Sequence, residues 1–144
     1  MKWPYLTRYT DELPEGVGGE ARGPLVRIRT KYRDDQGIHA HEYEHVRQWW
    51  TAGLVGAALI VVFALAIHMP QVASLAALGF LAHPLGYALW PRHRLWCEVQ
   101  AYREQMRHPD CNGGFLTLED AAERLANPRY RLGITAADAR RLLA

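Results

Sequence analysis

The sequence predicts a mainly α protein with a short N-terminal β element, an α+β fold built as one domain over residues 1–144. No Asp, Glu, Lys or Arg occurs from Gln48 to Pro91, although 22% of the chain is charged, and such a stretch favours apolar helices. Helix formers and helix caps follow it, and one short alternating segment lies near the N-terminus. A chain of 144 residues is long enough for one core and too short for two domains.

Three regions follow from this pattern. Residues 1–37 are expected to form an irregular lead-in with one strand. Residues 38–107 are expected to form the helices of a metal site together with an apolar hairpin, and residues 108–144 are expected to form a helical tail. Gly, Pro and turn formers dominate residues 1–24, as in ELPEGVGGEARGP, so we expect irregular structure there. The opening MKWPYLTRYTDELPEG has no apolar core of the length that a secretory signal requires.

A single short strand is predicted in the segment LVRIRTKY, residues 25–32. Apolar Val26 and Ile28 alternate there with cationic Arg27 and Arg29, the period of a strand with one buried face. The following RDDQG predicts a turn. A helix is then expected to begin near Ile38.

The uncharged segment predicts an apolar helical hairpin. Residues 49–68 and 71–90 each form a helix of about 20 residues, which spans about 30 Å, the thickness of a hydrocarbon core. Pro70 lies in the short connection and cannot donate a backbone hydrogen bond to a continuing helix. Five aromatic residues gather at the end away from this turn, where bilayer interfaces favour them: Trp49, Trp50, Tyr87, Trp90 and Trp96. The predicted partner of residues 49–90 is therefore a lipid bilayer.

Cationic residues flank the hairpin on both sides. Arg47 precedes it, and Arg92 and Arg94 follow it. Because cytoplasmic flanks carry the excess of cations, both termini are expected in the cytoplasm and the protein in the inner, cytoplasmic membrane. The alternative is a soluble cytoplasmic oligomer that buries the hairpin between copies, since one chain of this length has little left to cover it.

Three further helices are predicted after the hairpin. The segment RLWCEVQAYREQMR predicts a third helix over residues 94–107. Thr117 and Asp120 fit the start of a helix that ends near residue 126, and Thr135 and Asp138 fit the start of a last helix.

Charge and cysteine usage exclude two classes of protein. The formal net charge is +2, with basic residues spread over both ends, so we expect no nucleic-acid partner. Cys97 and Cys111 are the two cysteines, too few for a disulfide scaffold, and we interpret both as free thiols.

The segment HEYEH is the strongest chemical signal. His41 and His45 lie four residues apart, so on a helix both imidazoles project from one face and can reach a single ion. Glu42 lies beside the first histidine, where a carboxylate can take a proton from a metal-activated water. This is the HExxH pattern. The alternative is a solvated helical face with local ion pairs.

A catalytic zinc site needs a third protein ligand. Glu98 on the predicted third helix is the best candidate and Glu104 its nearest rival, with the small Ala101 available to pack against the HExxH helix. A surface carboxylate is the alternative for Glu98. Five other residues are expected to lie outside the ligand set: His39 as a cap or supporting residue, Glu44 as a solvent-facing charge, and His68, His83 and His93 as interfacial or loop residues.

These features resemble the gluzincins, the zinc peptidases that combine HExxH with a glutamate. In particular, the chain resembles the membrane CAAX prenyl-protease and heat-shock protease branch and the related minigluzincins. The resemblance rests on HEYEHVRQ, followed by an apolar hairpin and then EVQAY, and covers about residues 25 to 107. The resemblance implies that His41, His45 and Glu98 bind Zn²⁺. It also implies that Glu42 is the general base and then the general acid.

The resemblance also implies a way of binding substrate. An edge strand above the zinc pairs with an extended peptide, and residues 25–30 occupy that place in the chain order. An oxyanion stabiliser is expected, with Tyr102, His93 and Arg103 as candidates. Tyr102 itself stands where the family pattern has an acid, and Ala101 matches the small residue before it.

The function predicted from these features is a zinc-dependent endopeptidase that cleaves a peptide or protein substrate at the membrane surface. The alternative is a non-catalytic membrane-hairpin protein, of phage or mobile-element origin, with a structural or vestigial metal site. A further hypothesis is latency, in which Cys111 or the C-terminal helices cover the zinc position.

Overall fold

The computed structural model describes residues 2–144 and confirms a mainly α, α+β fold. Three short strands precede five α-helices. The strands are β1 (Leu6–Tyr9), β2 (Gly19–Arg22) and β3 (Leu25–Ile28), and the helices are α1 (Gln36–Ala66), α2 (Ala82–Leu89), α3 (Pro91–Gln105), α4 (Leu118–Leu125) and α5 (Ala136–Leu143). Three 3₁₀ segments connect them at Thr30–Tyr32, Pro70–Leu81 and Pro128–Tyr130.

The N-terminal region is a three-stranded sheet in the order β1-β3-β2. β1 pairs in parallel with β3, and β2 pairs antiparallel with it. The expectation of an irregular lead-in over residues 1–24 is therefore wrong. The predicted strand exists, but it is the central strand rather than an edge, because β1 and β2 cover both of its sides.

A tight turn explains why β2 lies next to β3. Gly23 has a φ of +60° between the two strands, a conformation that glycine adopts without a steric penalty. The four residues of β2, GEAR, carry little apolar alternation, so periodicity gave no signal for this strand. Its partner β3 does alternate, with Val26 and Ile28 buried.

One long helix, α1, carries both the histidine motif and the first arm of the hairpin. It begins at Gln36, slightly earlier than expected, and the Asp35 carboxylate caps it by accepting a hydrogen bond of 2.8 Å from the Ile38 N–H. It continues without a break to Ala66. The histidines at its start are thus rigidly connected to its apolar part, residues 49–66.

The chain reverses at the predicted turn, where exposed His68 adopts a left-handed conformation with φ of 55°. The prediction of one regular helix for the second arm is wrong. It begins as a 3₁₀ helix over Pro70–Leu81 and becomes α-helical only at Ala82. A Cβ on Gly79 would lie 2.2 Å from the Ala57 backbone nitrogen, so the backbones of this arm and α1 are in direct contact. Small residues permit such close packing between membrane helices.

The outer surface of the hairpin is apolar and exposed. Both arms are long and apolar enough to cross a membrane, and 11% of the residues in the apolar part of each are buried within the molecule. The side chains of Leu59 and Val62 are more than half exposed. Core helices of a soluble monomer would be mostly buried, so this surface requires lipid or other protein as its cover.

The remaining helices follow the predictions closely. The third helix begins at Pro91 rather than residue 94, because Pro fits the first helical turn, and it ends at Gln105. Thr117 and Thr135 cap α4 and α5, each accepting a hydrogen bond of 3.1 Å from the backbone of Asp120 or Asp138. The two predicted caps are confirmed.

Two small cores lie on either side of the HExxH region. One packs the sheet on α1 through Val26, Ile28 and Val46. The other packs α4 and α5 on α3, with Leu125 fully buried. Ala101, also fully buried, lies on α3, which packs directly against α1. The parts of α1 and α3 that carry His41, His45 and Glu98 are therefore fixed between two cores.

Candidate metal centre

The two motif histidines lie on the same face of α1, as their spacing predicts. The ring centroids of His41 and His45 are 5.1 Å apart. His41 is buried and His45 is nearly so. The pair faces α3 rather than solvent, so the alternative of a solvated helical face does not hold.

Glu98, on α3, lies beside the two histidines. Its Oε2 lies 3.7 Å from His41 Nε2, and its Oε1 lies 3.5 Å from His45 Nε2. Tetrahedral zinc with bonds of about 2.0–2.2 Å holds neighbouring nitrogen and oxygen ligands about 3.3–3.6 Å apart. Glu98 is 2% exposed. The surface-carboxylate alternative for this residue is therefore wrong.

The local chemistry fits a cation. Glu98 Oε2 is fully buried and forms no hydrogen bond within residues 2–144, and a buried carboxylate oxygen is costly when left unpaired. The ligand atoms of His41, His45 and Glu98 all lie within 4.8 Å of one another. Two imidazoles and one carboxylate are a donor set that a metal ion could occupy, and this set matches open zinc sites.

A buried amide orients His45. Gln48 Oε1 lies 3.0 Å from His45 Nδ1, while Gln48 Nε2 donates to the Cys97 carbonyl at 3.1 Å and to Glu44 at 3.2 Å. With its Nδ1–H donated to Gln48, the His45 ring presents Nε2 toward Glu98. Glu44 was expected to face solvent, but it is buried and also pairs with Arg47.

His41 has a different environment. Its ring meets Tyr102 edge to face, with centroids 4.7 Å apart. Burial and the neighbouring His45 hold the pKa of His41 well below its ordinary value, so the ring is neutral, the form that binds a metal. His41 Nδ1 is buried without a hydrogen-bond partner among residues 2–144, although Gln105 lies beside the ring.

Glu42 lies between the pair His41 and His45 and strand β2. A Cβ on Gly19 would sit 2.8 Å from Glu42 Oε1, so a side chain at position 19 would displace this carboxylate from its place beside the strand. Burial, then the Glu98 carboxylate and then Glu20, raises the pKa of Glu42 well above its usual value. A carboxylate with a raised pKa is better matched to proton transfer near neutrality.

Tyr87 lies in α2, in the second arm of the hairpin, and supports Glu98. Its hydroxyl donates to Glu98 Oε1, and its ring lies 6.1 Å from that of His45. The sequence analysis placed Tyr87 only among the interfacial aromatics. Its contact with Glu98 crosses the bend between α2 and α3, which no local pattern reveals.

A cleft of about 1170 Å³ opens over these residues. β2 forms one wall, and the segment from Asp110 to Tyr130 contributes another. Tyr102 lines the cleft, and its hydroxyl shares a hydrogen bond of 2.7 Å with the Tyr130 hydroxyl.

Four other predicted candidates lie apart from the three ligands. His39 contacts the Arg33 carbonyl at 2.9 Å, in a supporting contact at the surface. Glu104 pairs with Arg107 at 2.9 Å, and Arg103 donates to the carbonyl of Leu142 at 2.7 Å. Cys111 is exposed on the cleft wall, outside the group of ligand atoms.

His83 and His93 were expected to be interfacial or loop residues. The structure instead brings them together with Cys97 as a second group that could hold a metal ion. His83 is buried, although it lies in an apolar arm. The signal that could have found this group is the pair His93 and Cys97, which repeats the four-residue spacing of the HExxH histidines.

No family model, curated protein or solved structure matches this chain.

Proposed function

We propose that this chain is a zinc-dependent endopeptidase that works at the surface of a membrane. The observation that carries the proposal is the convergence of His41, His45 and Glu98 in a cleft, with the carboxylate of Glu42 beside them. Three protein ligands leave a position for water, as in catalytic rather than structural zinc sites. The HExxH arrangement assigns a separate base to that water.

The three ligands would hold Zn²⁺ through His41 Nε2, His45 Nε2 and the Glu98 carboxylate, the atoms that face one another. Zinc bound there supplies a Lewis acid that polarises a peptide carbonyl and makes water more acidic. Gln48 keeps His45 in the tautomer that leaves Nε2 free, and Tyr87 orients Glu98 by donating to Oε1.

Glu42 carries the proton. It takes one proton from the attacking water and gives it to the departing amine of the scissile peptide. Its burial and the nearby Glu98 raise its pKa well above the usual value for a glutamate, which favours both halves of this transfer. Glycine at position 19 keeps the space around the carboxylate open.

The edge strand β2 is the expected place for an extended substrate. The Arg29 N–H donates to the Gly18 carbonyl at 2.9 Å, so alternation along the strand directs the backbone groups of Gly19 and Ala21 away from β3. β2 lines the cleft above the ligands. A peptide that adds to this edge would lie across the site, with main-chain hydrogen bonds giving affinity.

Tyr102 is the preferred oxyanion stabiliser among the three predicted candidates. It lines the cleft and its hydroxyl reaches Tyr130, which lines the cleft too. Arg103 is engaged with the last helix, and His93 is grouped with His83 and Cys97. A phenol beside the ligands can donate to the charge that develops on the carbonyl oxygen.

The hairpin would anchor the enzyme in the inner membrane with both termini in the cytoplasm. Its outer surface is apolar and exposed, and Arg47 and Arg92 flank it on the same side. The site would then lie about one helical turn from the bilayer surface, since residues 46–48 alone separate His45 from the apolar part of α1. Burial of the hairpin in a soluble cytoplasmic oligomer is the competing arrangement.

The test is the Glu42→Gln variant, purified in detergent beside the parent. We expect it to keep zinc and to lose cleavage of an unfolded protein such as casein by about 10²–10⁴-fold, the usual contribution of a general base. Glu104→Gln, on the exposed side of α3, is the matched control and should cleave like the parent. Equal cleavage by Glu42→Gln and the parent would refute the mechanism.

A second candidate function is a non-catalytic membrane-hairpin protein of phage or mobile-element origin with a structural or vestigial metal site. The observation that favours it is His41 Nδ1, which within residues 2–144 forms no hydrogen bond of the kind that metal-binding histidines almost always make. Tyr102, which packs edge to face on this ring, stands where the family pattern has an acid. Zinc-loaded parent protein that cleaves no unfolded substrate would favour this alternative.

A further inference from the structure

A second cluster of metal-binding side chains lies where the hairpin returns to the ligand helix. His83 Nδ1 is 3.4 Å from His93 Nε2, and Cys97 Sγ is 3.6 Å from the same nitrogen. All three ligand atoms lie within 4.8 Å of one another. His83 comes from α2, while His93 and Cys97 lie one turn apart on α3.

These separations match the edges of a zinc coordination polyhedron. Zinc–nitrogen bonds of about 2.0–2.1 Å and zinc–sulfur bonds of about 2.3 Å in tetrahedral geometry place two nitrogens about 3.4 Å apart and a nitrogen and a sulfur about 3.6 Å apart. A simple thiol–imidazole contact would account for Cys97 and His93. It would not account for His83 Nδ1, which also faces His93 Nε2.

The location of His83 is a second, independent observation. Ionisable residues are rare in apolar spans and mark functional sites when they occur. His83 is buried, within an arm long and apolar enough to cross a membrane. It also borders the large cleft, which gives an ion a route to the cluster.

We propose that His83, His93 and Cys97 form a second metal site for a zinc-like ion, separate from the site of His41, His45 and Glu98. Two imidazoles and one thiolate suit zinc and cobalt and exclude hard cations such as Mg²⁺ and Ca²⁺. Three protein ligands leave the fourth position to water. The site stands on its own geometry and does not depend on peptidase activity.

An ion in this cluster would join α2 to α3 across the bend at Trp90. Tyr87 lies one turn after His83 on α2, and Glu98 directly follows Cys97 on α3. The cross-link would therefore hold the Tyr87 hydroxyl against Glu98, the contact that orients the third ligand of the first site. An ion in the second site thus positions Glu98, the third ligand of the first site.

Cobalt distinguishes the two sites, because only a thiolate ligand gives a sulfur-to-cobalt charge-transfer band in the near ultraviolet. The metal-free full-length protein, purified in detergent under reducing conditions, is titrated with Co²⁺. We expect the band in the parent and in Glu98→Gln, and its loss in Cys97→Ser. The bound cobalt should fall from about two equivalents to about one in either variant.

Cys111→Ser is the matched control, because this cysteine is exposed and outside the cluster. It should keep the band and both equivalents of cobalt. If Cys97→Ser does not show the helical circular dichroism of the parent, His93→Asn replaces it as the test variant, because His93 is half-buried. The His93→Asn variant should also lose the band. A parent without the band, or a band that Cys111→Ser removes, would overturn the proposal and leave the first site untouched.

Discussion

At the scale of single residues, the two motif histidines are held by different means. Gln48 accepts the Nδ1–H of His45 and is itself fixed by the Cys97 carbonyl. His41 is held by the ring of Tyr102 and has no hydrogen-bond partner at Nδ1 within residues 2–144. Most of the hydrogen-bonded support for the histidine pair therefore depends on one amide side chain.

Replacing Gln48 should weaken metal binding. Gln48→Ala frees the His45 ring to rotate and leaves its Nδ1–H unpaired, so we expect zinc affinity to fall by about 10–100-fold, as for other residues that support metal-binding histidines. Competition with a chelator of known affinity measures this loss. Gln71→Ala, at an exposed position near the hairpin turn, should bind zinc like the parent. Equal affinities in all three proteins would show that Gln48 does not support the ligand.

The sequence indicated the three candidate ligands but not the residues that hold them in place. Spacing alone placed His41 and His45 on one face, and the next charged helix offered Glu98 as the best third ligand with Glu104 as its nearest rival. Gln48 and Tyr87 depend on contacts between helices, with Cys97 and Glu98 respectively. A one-dimensional pattern contains no information about such partners.

At the scale of elements, the strand beside the site is β2 and not the predicted β3. β3 is covered on both sides, whereas β2 has one free edge that borders the cleft. Ala21 lies opposite Val26 in a pair whose backbone groups point outward. Its N–H is therefore available to an incoming peptide.

The free edge can be tested at Ala21. Proline there removes the outward N–H without removing a bond to β3, and edge strands accept proline at such positions. One lost hydrogen bond of about 1 kcal/mol should lower kcat/KM by about fivefold, with zinc content unchanged. Ala21→Ser keeps the N–H and is the control. If the proline variant cleaves casein with the kcat/KM of the parent, substrate does not pair with β2.

The difficulty of predicting these elements has a physical basis. β1 and β2 are four residues long and contain few apolar residues, so pairing with β3 rather than local pattern makes them strands. The second arm begins as 3₁₀ helix where Gly79 packs on the backbone of α1. The capped helices α4 and α5 were predictable because their signals are local.

At the scale of the whole molecule, one helix joins the metal centre to the apolar hairpin. α1 carries His41 and His45 in its first turns and runs on to Ala66. The returning arm delivers Tyr87 and then, after the bend, Glu98. Insertion of the hairpin would therefore fix both the height and the orientation of the cleft relative to the bilayer.

The proposed orientation can be tested at Cys111, which is exposed. In a Cys97→Ser chain expressed in bacteria, a membrane-impermeant maleimide should label Cys111 in inverted inner-membrane vesicles and not in right-side-out ones. Gln71→Cys in a chain without other cysteines should show the opposite pattern, because it lies near the hairpin turn. Labelling of both positions from the same side would exclude a spanning hairpin.

The central claim is that Glu98 completes one zinc site with His41 and His45. Elemental analysis of detergent-purified Cys97→Ser protein, beside the Cys97→Ser/Glu98→Gln double variant, tests it directly and keeps the second cluster out of the comparison. We expect the double variant to contain about one equivalent of zinc less than the single variant, because two imidazoles alone hold the ion weakly. Equal zinc contents in the two proteins, or no zinc in either, would contradict the account.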